Sequence, residues 1–375
     1  MTDQIQKIVA GLPDLADVTG VWAVADDRLA QGDAVFAADL GIALAKAYGD
    51  GTGQMWQYKS VNDYLLRLLA TTAGRQNVTQ ALRLVSSVRA DGTKLDRYTA
   101  SLLAASHPAD DLAVAFTGKA TEEMRACLVH ELVLRGTVVT ETPGIAEWAT
   151  SPHWRDHPLG WLPLTLSDVE DRPSMPSYSA RGVSHSMPYD PVGSGDSTIV
   201  AGTAGPSAQE TTTEATATAM AMAVANWAEE SNGHIEARVF DFAEPLDVRS
   251  VPSALTALGL ECLNGVGDET ALSVSACVPT RVWQLLFAAA STDGAYNSGA
   301  QGAYGRLAAW QSLAGLSCTP DGGSFREVEA RVGECIWHVF TADTQWFYRV
   351  AWDIGVAGVA PDHRRLAVLA ATDTD

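Results

Sequence analysis

The chain has 375 residues, of which 47% are hydrophobic and 19% are charged, and this composition indicates a folded globular protein and excludes global disorder. This length exceeds that of one ordinary hydrophobic core and predicts two domains or one large one. The formal net charge of −20 argues against nucleic acid or an anionic membrane as a partner, because an acidic surface repels phosphates. In the simplest interpretation the charge keeps the chain soluble, and attraction of a basic protein partner is the alternative.

The first 150 residues have the apolar periodicity of helices. The clearest helix begins at Thr121, has Glu122 and Glu123 in its first turn, where acidic side chains favour the helix dipole, and is predicted to end at Gly136. The sequence shows no self-similar repeat, so we expect an irregular helical array and not a solenoid. The predicted helices span residues 60–72, 77–89, 93–106 and 120–135.

Residues 173–213 are dominated by Ser, Gly, Pro and Thr and have no apolar periodicity. Such a segment is typical of a linker or a long functional loop. We therefore predict a helical domain at 1–172, this linker or loop at 173–213, and a second domain at 214–375.

The second half of the chain has a mixed pattern of helices and strands. His234–Phe242 alternates between apolar and polar residues, as a strand does. Two further alternating segments flank Pro361-Asp-His-Arg364, which suits a type I turn and predicts a hairpin. The other predicted elements are helices at 214–231, 251–260, 281–290 and 305–316 and a strand at 271–278. The predicted fold is α+β, with an all-helical N-terminal half and a C-terminal domain whose small, mostly antiparallel sheet ends in a hairpin.

The cysteines and the N-terminus bear on the cellular compartment. The five cysteines are odd in number and have no close spacing, so neither a disulfide framework nor a zinc motif is supported. The N-terminus has no apolar segment behind a basic start, and the chain has no run of about 18 uncharged apolar residues. We expect a cytoplasmic protein.

Several short motifs contain residue types that could carry chemistry. His153 and His157 have the spacing of helical metal ligands, but flanking prolines and the lack of a third ligand favour a packing loop. His130-Glu131 lacks the second His of a zinc protease and is predicted to be a helix-surface pair. Ser184-His185-Ser186 has no orienting third group, and the Gly-rich segments near residues 193 and 202 do not fit a nucleotide loop. We predict no catalytic residue, no metal and no cofactor.

The strongest local signal is Ser291–Gly305, in which Gly-Ala-Tyr occurs twice. Glycines allow a ligand to approach the backbone, and tyrosines suit interfaces because they have an apolar face and a hydroxyl group. The alternative is an ordered surface loop whose tyrosines pack on the core. The candidate binding residues are Tyr296, Asn297, Gln301, Tyr304, Arg306 and, from the C-terminal block, Asp353.

Three blocks together resemble a known family. They are Val224-Ala-Asn-Trp-Ala-Glu-Glu-Ser-Asn-Gly233, Gly302-Ala-Tyr-Gly-Arg-Leu-Ala-Ala-Trp-Gln-Ser-Leu313 and the closing block from Trp346-Phe-Tyr-Arg-Val-Ala-Trp-Asp-Ile-Gly355 to Asp375. The chain is similar to an uncharacterised family of actinobacterial, streptomycete-type proteins, a domain of unknown function. The resemblance implies a cytosolic bacterial protein and assigns no catalytic residue.

Two hypotheses of function follow. The first is a non-enzymatic protein that binds a protein partner or assembles with itself, for example an immunity- or antitoxin-like protein against a basic partner. The second is an enzyme whose site forms in a cleft between the two halves, lined by the 291–306 loop, His338, Asp343 and Asp353. We favour the first because no catalytic constellation is visible.

Overall fold

A computed structural model of the chain describes residues 2–49, 55–88, 92–171, 173–185, 197–199, 206–266, 272–294, 298–320, 322–347 and 351–374. The chain forms two compact units. The helical unit comprises Met1–Gly160 and Met175–His185, and the sheet unit comprises Trp161–Ser174 and Ser186–Asp375. Residues 161–174 thus belong by contact to the unit that follows them, whereas the predicted division into domains stays a prediction.

The helical unit consists of short successive helices and one small hairpin. Its helices are α1 (Thr2–Gly11), α2 (Thr19–Ala30), α3 (Ala34–Tyr48), α4 (Trp56–Thr71), α5 (Arg75–Ser87), α6 (Gly92–Ser106), α7 (Ala109–Thr117), α8 (Glu122–Leu134), α9 (Pro143–Ala149) and α10 (Pro152–Asp156). Strands β1 (Ser177–Ser179) and β2 (Gly182–Ser184) pair antiparallel. The four helices predicted within residues 60–135 correspond to α4, α5, α6 and α8 and are confirmed.

Helix α8 is the most buried helix of this unit. The Thr121 side chain accepts the Met124 N–H at 3.0 Å and caps the first turn, and Gly136 follows the helix with a φ of +76°. Every residue from Ala126 to Leu134 is buried, because α8 has neighbours on all sides. The predicted helix-surface pair His130-Glu131 is therefore wrong, since both side chains are fully buried.

The sheet unit combines one large antiparallel sheet with six helices among its described residues. Its strands are β3 (Ser197–Ile199), β4 (Ala208–Glu210), β5 (His234–Phe242), β6 (Leu272–Cys277), β7 (Ile336–Ala342), β8 (Trp352–Val359) and β9 (Arg365–Asp373). Its helices are α11 (Glu214–Ala221), α12 (Ala225–Glu229), α13 (Val251–Ala257), α14 (Pro279–Ser291), α15 (Gln301–Leu316) and α16 (Phe325–Glu334).

The strand order is β3-β6-β7-β8-β9-β5-β4, and every described neighbouring pair is antiparallel. The β8–β9 hairpin pairs Val356 with Leu369 and Val359 with Leu366. The turn closes with a hydrogen bond from the His363 N–H to the Ala360 carbonyl at 2.9 Å. The predicted α+β fold with a C-terminal hairpin is confirmed, and β3 and β4 at the sheet edges both come from the predicted linker 173–213.

Helices or turns cover both faces of the sheet. On one face Phe240, Phe340, Ala357 and Val368 pack with α13 in a hydrophobic cluster. The other face contacts α11, α12, α14 and α15, and a side chain at Gly358 would meet the last carbonyl of α15 at 3.0 Å. Because both faces are covered, the central strands β8 and β9 are apolar almost throughout.

Several elements differ from the predictions. The helix predicted at 214–231 is interrupted after Ala221, where the Ala223 N–H donates to the Ser312 hydroxyl at 2.9 Å instead of continuing the helix. Helix α15 begins at Gln301, four residues before its predicted start. Strand β7 and helix α16 were not predicted. No described helix is both long and apolar enough to cross a membrane.

Candidate functional site

The predicted binding segment forms the loop between α14 and α15. Helix α14 ends at Ser291, and the Gly299 N–H donates to the Asp293 carboxylate at 2.9 Å. The Ala300 N–H donates to the Ala290 carbonyl at 2.8 Å, which closes the loop onto the end of α14. The described part of the loop is thus held by main-chain donors.

Two glycines of this segment permit close packing. A Cβ at Gly299 would lie 2.5 Å from the Ser291 carbonyl oxygen, and one at Gly305 would lie 2.6 Å from the Ser291 Cβ. Neither contact is tolerable for a side chain, so glycine is required where α15 passes the end of α14. These glycines therefore have a packing role, which the sequence pattern alone does not distinguish from access for a ligand.

Acidic residues at the C-terminal end of α12 lie next to the loop. The Ser298 N–H donates to the Glu230 carboxylate at 2.9 Å, and the Asn226 side-chain amide donates to the Ser298 carbonyl at 3.4 Å. Glu229 and Asp293 are exposed beside them. We name the surface formed by Asn226, Glu229, Glu230, Asp293, Ser298, Gln301 and Tyr304 the loop patch.

Gln301 and Tyr304 lie at the start of α15, three residues apart. Gln301 has a φ of +63°, an uncommon backbone conformation for a residue with a side chain. Tyr304 is half-buried. These two candidates thus belong to the same end of one helix, whereas Tyr296 and Asn297 lie outside the described residues.

Arg306 lies in a buried ion pair. Its Nε and Nη2 donate to the Glu170 carboxylate at 2.6 and 2.8 Å, and both side chains are fully buried. Its Nη1 and Nη2 also donate to the carbonyls of Pro163 and Thr165 at 3.0 and 2.8 Å. The Trp310 indole N–H donates to Glu170 at 2.8 Å.

This ion pair anchors the 161–174 segment to α15 and gives Arg306 a structural role, whereas its role in ligand binding stays a prediction. Glu170 itself completes a capping box with Ser167, whose N–H donates to the carboxylate at 2.8 Å. The Ser-x-x-Glu spacing was a visible signal for this turn, but nothing in the sequence linked Glu170 to Arg306.

Asp353 lies on the opposite face of the sheet from α15. Along β8, Gly358 faces the end of α15, while Ala357 and Val359 belong to the cluster under α13. Because strand side chains alternate, Asp353 shares the α13 face with Ala357. The structure therefore does not bring Asp353 together with Gln301, Tyr304 and Arg306.

The residues of the enzyme hypothesis are also spread out. His338 is opposite Ala357, and Asp353 lies four residues before Ala357 in β8, which is about 13 Å of strand. Burial lowers the pKa of His338, and its Nδ1 has no hydrogen-bond partner among the described residues. Asp343 follows β7 and is exposed.

A second polar cluster lies in the helical unit. Glu123 accepts from the Arg97 Nε at 2.9 Å and from the His157 Nε2 at 3.1 Å. The Leu159 N–H donates to the His157 Nδ1 at 3.2 Å, which places the imidazole proton on Nε2. His157 therefore serves as a link between α8 and the 157–159 turn, in agreement with a packing loop. Within the described chain no group of three or more His, Cys, Asp or Glu residues is placed to hold a metal ion.

Comparison with known protein families gives one match. Residues 19–375 match a family of unknown function, DUF6183. The chain belongs to this family. The match covers both units, so the helical unit and the sheet unit occur together in DUF6183. No curated protein and no solved structure matches the chain.

Proposed function

We propose that this DUF6183 member is a non-enzymatic interaction protein of the actinobacterial cytosol that binds a basic segment of a protein partner at the loop patch. The observation that carries this proposal is that Glu230 and Asp293 accept the N–H groups of Ser298 and Gly299, next to the exposed Glu229 and just before α15 begins. Carboxylates attract Lys and Arg side chains over several ångströms, and a tyrosine offers contact area at low entropic cost.

The distribution of arginines in the sheet unit supports the proposal. Arg238 pairs with Glu210, Arg306 with Glu170 and Arg365 with Asp241. These cations are neutralised within the protein and do not compensate the loop patch. The chain as a whole has 45 acidic and 25 basic residues, so most of the excess carboxylates remain to interact with solvent or a partner.

One exposed apolar side chain lies close to the loop patch in the sequence. Met222 is 38% exposed and lies in the break between α11 and α12, four residues before Asn226 of the loop patch. A methionine fits partners of different shape because its side chain is flexible and polarizable. A non-obligate interface combines apolar contacts at its centre with a polar, solvent-accessible rim.

A capture experiment with a charge-reversed variant tests the proposal. The immobilised chain is incubated with lysate of the native host at about 50 mM salt and washed at about 500 mM, because screening weakens contacts between exposed charges. We expect basic proteins to be retained and then released by salt. We expect Glu229→Lys to weaken their retention by about threefold to tenfold, equivalent to about 1 kcal/mol.

Glu261→Lys is the matched control, because it makes the same change at an exposed glutamate beside the cluster under α13. Equal retention by wild type and Glu229→Lys would contradict binding at the loop patch. Light scattering of the purified chain tests whether the partner is a second copy of the same chain. A concentration-dependent dimer that Glu229→Lys disrupts would identify self-association.

A further inference from the structure

A pocket at the tip of the β8–β9 hairpin concentrates arginine side chains in this acidic protein. It has a volume of about 310 Å³ and is lined by Arg331 of α16, by Arg364 and Arg365 of the hairpin, and by Asp241 and Asp362. This volume is at the lower end of the range for small-ligand sites. We name it the hairpin pocket.

The hairpin fixes the backbone of its two arginines. The Ala360 N–H donates to the Arg365 carbonyl at 2.9 Å, and the Phe242 N–H donates to the Arg364 carbonyl at 2.8 Å. His363, with a φ of +57°, completes the turn. The hydrogen bonds from Ala360 and Phe242 therefore hold the backbone of Arg364 and Arg365 in place before any ligand binds.

Arg365 and Asp241 neutralise each other. The Arg365 Nε and Nη2 donate to the two Asp241 oxygens at 2.6 and 3.0 Å. This contact lowers the pKa of Asp241, so the aspartate is ionised at neutral pH. The charge that remains in the pocket comes from Arg331 and Arg364 against Asp362, an excess of one positive charge.

Arg331 and Arg364 are each anchored by one carbonyl. The Arg331 Nε donates to the Ser317 carbonyl at 3.1 Å, and the Arg364 Nη1 donates to the Ala243 carbonyl. Over the described ranges, Nη1 and Nη2 of Arg331 and Nη2 of Arg364 donate to no other group. Two oriented guanidinium groups with unused donors suit the oxygens of a carboxylate or phosphate.

We propose that the hairpin pocket binds a small oxyanion, a phosphate or carboxylate group, between Arg331 and Arg364. Solubility does not account for this cluster, because the chain already has a net charge of −20 and arginines reduce it. The ligand site is separate from the loop patch and does not depend on the proposed function.

Isothermal titration with inorganic phosphate and with succinate, each against the full chain, tests the proposal and distinguishes the two oxyanions. We expect saturable one-to-one binding of at least one anion with a Kd below about 1 mM. Arg331→Gln and Arg364→Gln are each expected to weaken binding at least about tenfold, because each removes one charged donor group. Arg326→Gln, an exposed arginine on the same helix α16, is the control and should bind as wild type does.

Absence of saturable binding of both anions up to about 10 mM would overturn the proposal, as would equal weakening in the Arg326→Gln control. Circular dichroism of each variant confirms folding before titration. Arg364 is exposed, so we expect Arg364→Gln to fold. This variant therefore tests the proposal even if Arg331→Gln does not fold.

Discussion

At the scale of single residues, burial decides what the polar side chains can do. The position of Arg306 beside a Gly/Tyr-rich loop predicts a binding residue, yet its guanidinium lies inside the sheet unit and donates to Glu170 and two carbonyls. His338 is buried in β7, a strand without a clear signal in the sequence. Residue type and spacing alone did not separate these buried positions from accessible ones, because both depend on contacts remote in sequence.

His338 gives the folded protein a predicted dependence of stability on pH. Burial holds its pKa below the ordinary value of 6.5, so the unfolded chain takes up a proton at higher pH than the folded chain does. The contribution of neutral His338 to the free energy of unfolding is therefore fully present above about pH 6.5. It decreases as the pH falls through that value, by up to about 1.4 kcal/mol per pH unit. We expect His338→Leu to show a smaller loss between about pH 7 and 5 in urea unfolding curves.

The comparison of the two proteins isolates His338, because both retain His107, whose pKa burial also lowers, and Asp96, whose pKa burial raises. Parallel stability curves for wild type and His338→Leu would show that His338 does not titrate differently in the two states.

At the scale of elements, the segment Trp161–Ser174 shows how a stretch without regular structure is fixed. Its Glu170 is shared by a capping box, by Arg306 and by Trp310. A fully buried pair of charges is stable only while each charge keeps its partner, since an isolated buried charge is strongly unfavourable.

Glu170→Gln is therefore expected to destabilise the protein by about 3–5 kcal/mol in chemical unfolding, because it leaves the Arg306 charge buried without its counterion. Arg83→Gln, which breaks the partly exposed pair with Asp39, is the control and should cost about 0–1 kcal/mol. Equal losses in the two variants would mean that the buried pair has no special role.

At the scale of the whole molecule, the net charge of −20 affects the stability of the folded protein. Repulsion among excess carboxylates opposes the compact chain, and screening by salt relieves it. The exposed ion pairs oppose this trend, but each contributes little. The net effect of added salt is therefore expected to be stabilising.

Raising NaCl from about 20 to about 300 mM should increase the Tm by about 2–5 °C, because the Debye length then becomes shorter than the spacing of most surface charges. Differential scanning calorimetry at constant pH measures this shift. Potassium chloride is the control for specific ion effects and should give the same increase. A Tm that falls with both salts would show that ion pairs outweigh the net charge.

The sequence by itself determined the local elements and the class of fold. Apolar periodicity identified α4, α5, α6 and α8, alternation identified β5 and β6, and turn chemistry identified the closing hairpin. These features depend on neighbours within a few residues, so the sequence carries them directly. The sequence also predicted membership of a family of unknown function, and the match over residues 19–375 confirms that part, whereas the actinobacterial origin stays a prediction.

Only the tertiary structure decided how those elements meet. It placed β5 between β4 and β9, buried Glu170 against Arg306 and put Asp353 on the sheet face away from the loop patch. It also placed Arg331 of α16 beside the hairpin arginines in one pocket. Each of these results joins residues far apart in the chain, and such contacts depend on the packing of the whole sheet unit, which no local pattern encodes.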